Sequence, residues 1–262
     1  MGVSKSGYYK WSRNRNNNSV KKSEILNRIR EIYLLSGRTY GSPRVHAALK
    51  IEGFKCSRWL VEKLMRENKL FSRIKRKFRK SRGTNDVNHG SPNLLNRDFN
   101  PQSPNKIWAS DVTFLWTKEG WIYLSVTLDL YSRAVVGWHM KERLDTDLTI
   151  QSLQIGLNNR NVEAGMIHHS DQGKEYKSHE FRKELSKANL IQSMSRKGNC
   201  WDNAVVESFF HTLKSEMEGV FTTREEAKTW CFNWIEVYYN RQRLHSTLGY
   251  KPPLMYEKQM VA

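Results

Sequence analysis

At 262 residues, 38% of them hydrophobic and 11% aromatic, the chain is long enough for one sizeable domain and a smaller one, and too apolar for a disordered protein. Its net charge of +18 is concentrated: residues 1–100 hold 24 Lys and Arg against 7 Asp and Glu, and the remainder is nearly neutral. A field gathered this way attracts a polyanion, so nucleic acid is the expected partner, ahead of an anionic membrane or a merely solvated basic face.

No run of 18 apolar residues occurs and the first twenty residues lack an apolar core, so neither a membrane span nor a secretion signal is expected, and the cytoplasm is the expected compartment. Cys56, Cys200 and Cys231 lie far apart without a CxxC pair and read as free thiols.

In chain order, Ile25, Leu26, Ile29, Ile32 and Tyr33 at helical spacing predict a helix from about 23 to Gly37. A second helix follows, capped by Ser42, with Pro43 in its first turn and Gly53 at its close. Ser57 caps a third, whose apolar positions are Leu60, Val61, Leu64 and Met65. The pair resembles a helix-turn-helix, with a simple three-helix bundle as the alternative.

The run Ser72–Arg82 carries seven basic residues and only two apolar ones, and Arg73, Lys75, Arg76, Lys77, Arg79 and Lys80 are candidates for contact with DNA phosphates. Residues 83–105, rich in Asn, Gly, Ser and Pro, read as a linker. The expected organisation is a basic helical region over 1–82, the linker, a catalytic core over 106–225, and a C-terminal helix and tail over 226–262 packed on the core.

Strand patterns begin after the linker: Ile107–Trp116, Trp121–Leu130 and Ala134–Met140. The second alternates through Ile122, Leu124, Val126, Leu128 and Leu130, and tight turns at 118–120 and 132–133 imply a meander. A helix over 147–157, a strand over 166–169, a helix over 181–188, a strand over 191–194 and two longer helices complete an α/β chain with a mixed sheet and flanking helices.

Three carboxylates stand out. Asp111 interrupts the apolar strand IWASDVTFLW, where a charge is costly without a partner or cation. Asp171 ends a strand in HHSDQGKEY. Glu207 lies on a helix and shares a stripe with Asn203, Phe210 and Lys214. Clustered carboxylates suit a hard cation such as Mg²⁺, and two such ions about 4 Å apart promote in-line phosphoryl displacement. Taken singly, each acid also has a plain structural reading: a buried residue bonded to backbone, a turn former and an exposed helix residue.

WASDVTFLWT, HHSDQGKEY and GNCWDNAVVESFFHTLKSE, with 35 residues between Asp171 and Glu207, resemble the acidic motifs of retroviral-integrase-like DDE transposases, specifically the OrfB products of frameshifting bacterial insertion sequences. GVSKSGYYKW, YGSPRVHAAL, NLLNRDF, LDLYSRAVVGW and YYNRQRLHSTLGYKPP extend the likeness over nearly the full length.

The resemblance implies a ribonuclease-H-like integrase core with a mixed five-stranded sheet, preceded by a small helical DNA-binding domain. It implies Asp111, Asp171 and Glu207 as catalytic metal ligands for two Mg²⁺ ions, with Mn²⁺ as a substitute. The implied reaction is hydrolysis at an element end followed by attack of the freed 3′-OH on another strand. Lys214 resembles the family residue that contacts terminal DNA, and Arg241 and Arg243 fall in a family tail also expected to meet DNA.

Further implications are multimerisation on double-stranded DNA and a separate upstream helix-turn-helix product, OrfA, as fusion or partner; relatives carry more sequence before GVSKSGYYKW. His46, Cys56 and His89 are too few for the zinc domain of retroviral relatives. A ribonuclease-H-type nuclease and a non-catalytic DNA-binding regulator are the rival readings. His168, His169 and Asp129 read as structural and Asp202 as the cap of the Glu207 helix, with an approach of Asn203 to the site as the lesser alternative for that residue.

Overall fold

The computed structural model describes residues 4–74, 91–196 and 200–259. The chain divides into two compact units, Met1–Lys77 and Phe78–Ala262.

In the first unit, α1 spans Lys5–Leu35, capped by Ser4, whose hydroxyl accepts from the Gly7 amide at 3.1 Å. It starts well before the expected position. Hydrophobic periodicity reports only a helix with a buried stripe, and that stripe begins at Ile25, followed by Ile29 and Ile32. Helix α2, Ser42–Ile51, is capped by Gly41 and not by Ser42; Pro43 already occupies its first turn. Helix α3, Arg58–Glu67, begins as expected, with Ser57 Oγ accepting from Leu60 N at 3.2 Å.

Val45 and Leu49 of α2 pack with Val61, Leu64 and Met65 of α3 in a small core. His46 Nε2 lies 3.1 Å from the Cys56 carbonyl oxygen, so the imidazole closes the turn between the helices.

The second unit is built on a five-stranded sheet of order β3-β2-β1-β4-β5, formed by Ile107–Thr117, Gly120–Asp129, Val135–Lys141, Ile167–Ser170 and Ile191–Met194 as β1 to β5. The first three strands are antiparallel, while β4 and β5 run parallel to β1. The alternation of β2 is borne out: Ile122, Leu124, Val126 and Leu128 are all fully buried.

On that face lie α7, Ala204–Glu216, and α8, Arg224–Phe232, which continues through wide π-helical turns over Asn233–Tyr239. Thr223 caps α8, accepting from Glu226 N at 3.1 Å, while Glu226 reaches back to the Thr222 amide. The opposite face carries Trp108 and Val136 under α4, Thr146–Asn159, and α6, His179–Lys187, with a one-turn α5, Lys174–Lys177, before it. A short α9, Pro253–Lys258, lies near the C-terminus.

Residues 91–105 are not a free linker. Leu94 N donates to Ser193 Oγ at 2.9 Å, Met194 N to the Pro92 carbonyl, and Leu95 is buried. The Asn- and Pro-rich composition here serves side-chain and backbone bonds to the outer strand β5. Among the described residues no helix is long and apolar enough to cross a membrane.

Candidate active site

Parallel pairing of β1 with β4 ends at Ser110 opposite Ser170. The next residues are Asp111 and Asp171, so strand register sets both acids at neighbouring strand positions, one strand spacing of about 4.8 Å apart. They stand where β4 stops, at the carboxyl end of the parallel pair, the usual place for a site in a sheet of this kind.

Asp171 Oδ1 accepts from Gly173 N at 2.9 Å, which folds the chain sharply into α5. A Cβ at Gly173 would fall 2.5 Å from Glu175 Oε1 and 3.0 Å from Asp171 Oδ1, so any larger residue there displaces these two carboxylates.

Glu207 lies in the first turn of α7. That helix is anchored from below: the Asn203 amide donates to the Ser110 carbonyl at 3.4 Å, beside Asp111. Asp202 does not cap the helix as expected. Its buried carboxylate instead accepts from Arg196, Arg97 and Asn93, all at 2.9 Å, which tie the turn before α7 to the strap at 91–105. Those guanidinium groups hold Asp202 well below the ordinary carboxylate range.

The acids are electrostatically coupled. Burial pushes Asp111 up to about 7, with Asp171, Glu207 and Glu175 adding repulsion. Burial likewise raises Asp171 and Glu207, and the latter also senses Asp171. Glu175, a fourth carboxylate, was not singled out in the sequence; it is raised by burial and then by Asp171. The signal for it was position: four residues after Asp171, past a turn that doubles the chain back. A desolvated group of carboxylates that repel one another fits a positive counter-charge. Among the described residues, no three His, Cys, Asp or Glu side chains already converge as a metal-binding group.

Lys214 Nζ lies 4.8 Å from the Phe114 ring centroid; burial lowers this ammonium while Asp111 pulls it up. Both histidines of HHSD are buried. His168 Nε2 bonds Ser110 Oγ at 2.8 Å, and His169 bonds Ser193 and Ser195 through its two ring nitrogens. Burial drives them down to about 3 and about 4 respectively, so they are neutral structural pillars. Asp129 accepts from the Asn105 and Tyr131 amides at 2.6 and 2.7 Å, a structural role as expected, although its strand is interior to the sheet and not at an edge.

Of the basic candidates, Lys75, Arg76, Lys77, Arg79 and Lys80 lie outside the described residues. Arg73 is half-buried, with its backbone amide bonded to the Arg38 carbonyl at 3.0 Å. Arg241 is exposed. Arg243 corrects the sequence reading: it is buried, and its guanidinium meets Glu216 at 2.7 Å, leaving it no open face for a phosphate. Sequence reasoning also passed over three half-exposed aromatics on the β1–β2 hairpin, Phe114, Trp116 and Trp121.

Comparison with known proteins agrees with this fold. Residues 101–200 and 189–253 match two families each described as "Integrase core domain", and residues 21–78 match "HTH-like domain". The chain is 38% identical over 262 residues, 99% of its length and 96% of the other's, to "Insertion element IS600 uncharacterized 31 kDa protein" of Shigella sonnei. It is 38% identical over 270 residues to "Transposase InsF for insertion sequence IS3A" of Escherichia coli (strain K12), covering all of this chain and 93% of that one. Among solved structures, a chain of the simian T-cell lymphotropic virus intasome, determined with a PP2A regulatory subunit, superposes with a TM-score of 0.50 at 15% identity over 80% of this chain and 69% of that one, a likeness of fold.

Proposed function

Since the chain belongs to the integrase-core transposases of bacterial insertion sequences and carries an HTH-like domain for DNA, we propose that Asp111, Asp171 and Glu207 form the centre at which it cuts element ends and joins the freed 3′-OH to a second strand. The observation that carries this reading is the β1–β4 register, which brings Asp111 and Asp171 to adjacent strand ends with Glu207 in electrostatic reach. That register brings two acids remote in sequence together, and the charge of Glu207, on a helix from a third part of the chain, acts on Asp111 while that of Asp171 acts on Glu207.

Asp111, Asp171 and Glu207 are the residues that would hold Mg²⁺, with Mn²⁺ able to replace it. Two bound ions supply activation of the attacking oxygen and stabilisation of the leaving one. The protein's own part is positioning. The Asp171–Gly173 turn fixes one carboxylate, the Asn203–Ser110 bond seats the helix that carries another, and the two buried histidines hold β4 without adding charge. Lys214 supplies a cation beside the acids to retain a DNA phosphate.

The organisation we assign is DNA recognition over 1–82, catalysis over 106–225 and support by 226–262, in a multimer on DNA with the upstream OrfA-type product supplying further end recognition, in the bacterial cytoplasm near the nucleoid. Arg73, Lys75, Arg76, Lys77, Arg79, Lys80 and Arg241 extend the DNA contact.

The test is cleavage and joining of labelled DNA carrying the element's ends with Mg²⁺ or Mn²⁺, for wild type, Asp111→Asn and Glu207→Gln. Loss of both activities with DNA binding retained supports the assignment. Unchanged activity in either variant removes it, and cleavage of RNA–DNA hybrids in preference to DNA ends favours the nuclease reading.

A further inference from the structure

The β1–β2 hairpin carries three large aromatic side chains that the core does not use. Phe114, Trp116 and Trp121 are 51%, 46% and 45% exposed, unusual for rings of this size on a strand whose other face is closed. They form one continuous group: Trp121 meets Phe114 edge to face at 5.0 Å between centroids and Trp116 at 4.7 Å. Cross-strand pairing of Trp116 with Trp121 and of Phe114 with Tyr123 sets them side by side.

Two features tie the group to the acidic centre. Phe114 follows Asp111 by three residues on the same strand, roughly 10 Å along it and on the opposite face, so the link between the two runs round the edge of β1 that β4 leaves unpaired. Lys214, two turns beyond Glu207 on α7, lays its ammonium over Phe114 at 4.8 Å. That stretch of β1 is reachable because β4 pairs only with Ile107–Ser110.

We propose that Phe114, Trp116 and Trp121 form a stacking platform for unpaired bases of the DNA end, with Lys214 holding the adjoining phosphate, so that the protein engages an end whose terminal pairs are opened. This rests on the DNA strand-transfer reading. In a duplex the π faces of the bases are covered by their neighbours, and only bases released from pairing offer a face to a ring. A cation beside half-exposed aromatic rings matches the alternation of phosphate and base in a single strand and does not match the apolar face of a second protein.

The experiment uses the full chain and duplexes of one sequence whose terminal bases are either paired or mismatched, with 2-aminopurine at the terminal position. Wild type is expected to bind the mismatched end more tightly and to quench the 2-aminopurine. In Trp121→Ala and Trp116→Ala that preference should fall by roughly 5- to 100-fold per lost stack. Trp121→Phe should keep most of it, which separates stacking from misfolding.

Equal wild-type affinity for paired and mismatched ends overturns the proposal, as does an undiminished preference in both alanine variants. A shift from multimer to monomer in those variants with the preference intact assigns the face to protein contact and also overturns it. Because the readout is binding, failure of the platform is distinct from failure of the catalytic assignment, which the cleavage assay alone reads.

Discussion

The carboxylate of Glu216, at the end of the helix that carries Glu207, holds the guanidinium of Arg243 at 2.7 Å, and both residues are at least 95% buried. The other carboxylate oxygen accepts from Trp234 Nε1 at 3.1 Å, so one acid joins α7 to the π-helical turns and to the C-terminal segment. The motif tail, with its run of basic residues, thereby contributes at least one arginine to the core.

Arg243→Ala should therefore destabilise the catalytic unit by about 3–5 kcal/mol, since it strands a buried carboxylate. Its effect on DNA binding should be nil in variants that remain folded at low temperature. Lys214→Ala should do the reverse, with little change in melting temperature and a slope of log affinity against log salt reduced by about one. Thermal unfolding together with a salt titration of DNA binding separates the two.

Gly173→Ala should lower strand cleavage with little loss of stability. Its Cβ would lie 2.5 Å from the flexible end of Glu175 and 3.0 Å from Asp171 Oδ1, so these side chains move before the backbone does. Removing the obstruction in Gly173→Ala/Glu175→Ala should restore part of the activity, and a double variant no better than the single one would show that the turn itself had failed.

Gly137→Ala, by contrast, should strongly destabilise the catalytic unit. The added Cβ would meet the Ser152 carbonyl at 2.1 Å and Gly156 N at 2.7 Å, both backbone atoms of the helix packed on β3. Overpacking of this kind costs about 3 kcal/mol or more. Soluble expression and a thermal melt check it, and a folded protein with unchanged stability would refute the close approach.

Acid sensitivity follows from His168. Its folded-state pKa is lowered to about 3 by complete burial, against about 6.5 when unfolded. The unfolded chain thus binds a proton that the folded one refuses. Stability is full above pH 6.5 and falls as pH drops towards 3, by on the order of 2 kcal/mol by pH 4.5. Denaturant melts at pH 7 and 4.5 should show a smaller acid loss for His168→Asn than for wild type, and parallel losses would exclude this source.

The sequence by itself determined the strands, most of the helices and the candidate acids. β2 announced itself through alternation because one of its faces is closed by α7 and α8, and β5 was legible to the residue. The three candidate acids were legible because a charge inside an apolar strand and a carboxylate at a turn are chemically conspicuous, and because three motifs at family spacing coincide. Local capping was read where a side chain acts on its own helix, as at Ser57 and Thr223.

What only the tertiary structure decided lies in long-range pairing, which no local period encodes. The parallel register placed Asp111 beside Asp171. Burial from several elements at once turned Arg243 from a surface candidate into a core ion pair, moved Asp202 from helix cap to the anchor of the strap at 91–105, and brought Glu175 to the acids. In each case the side chain's type was plain in the sequence, and its role was fixed by partners from other parts of the chain.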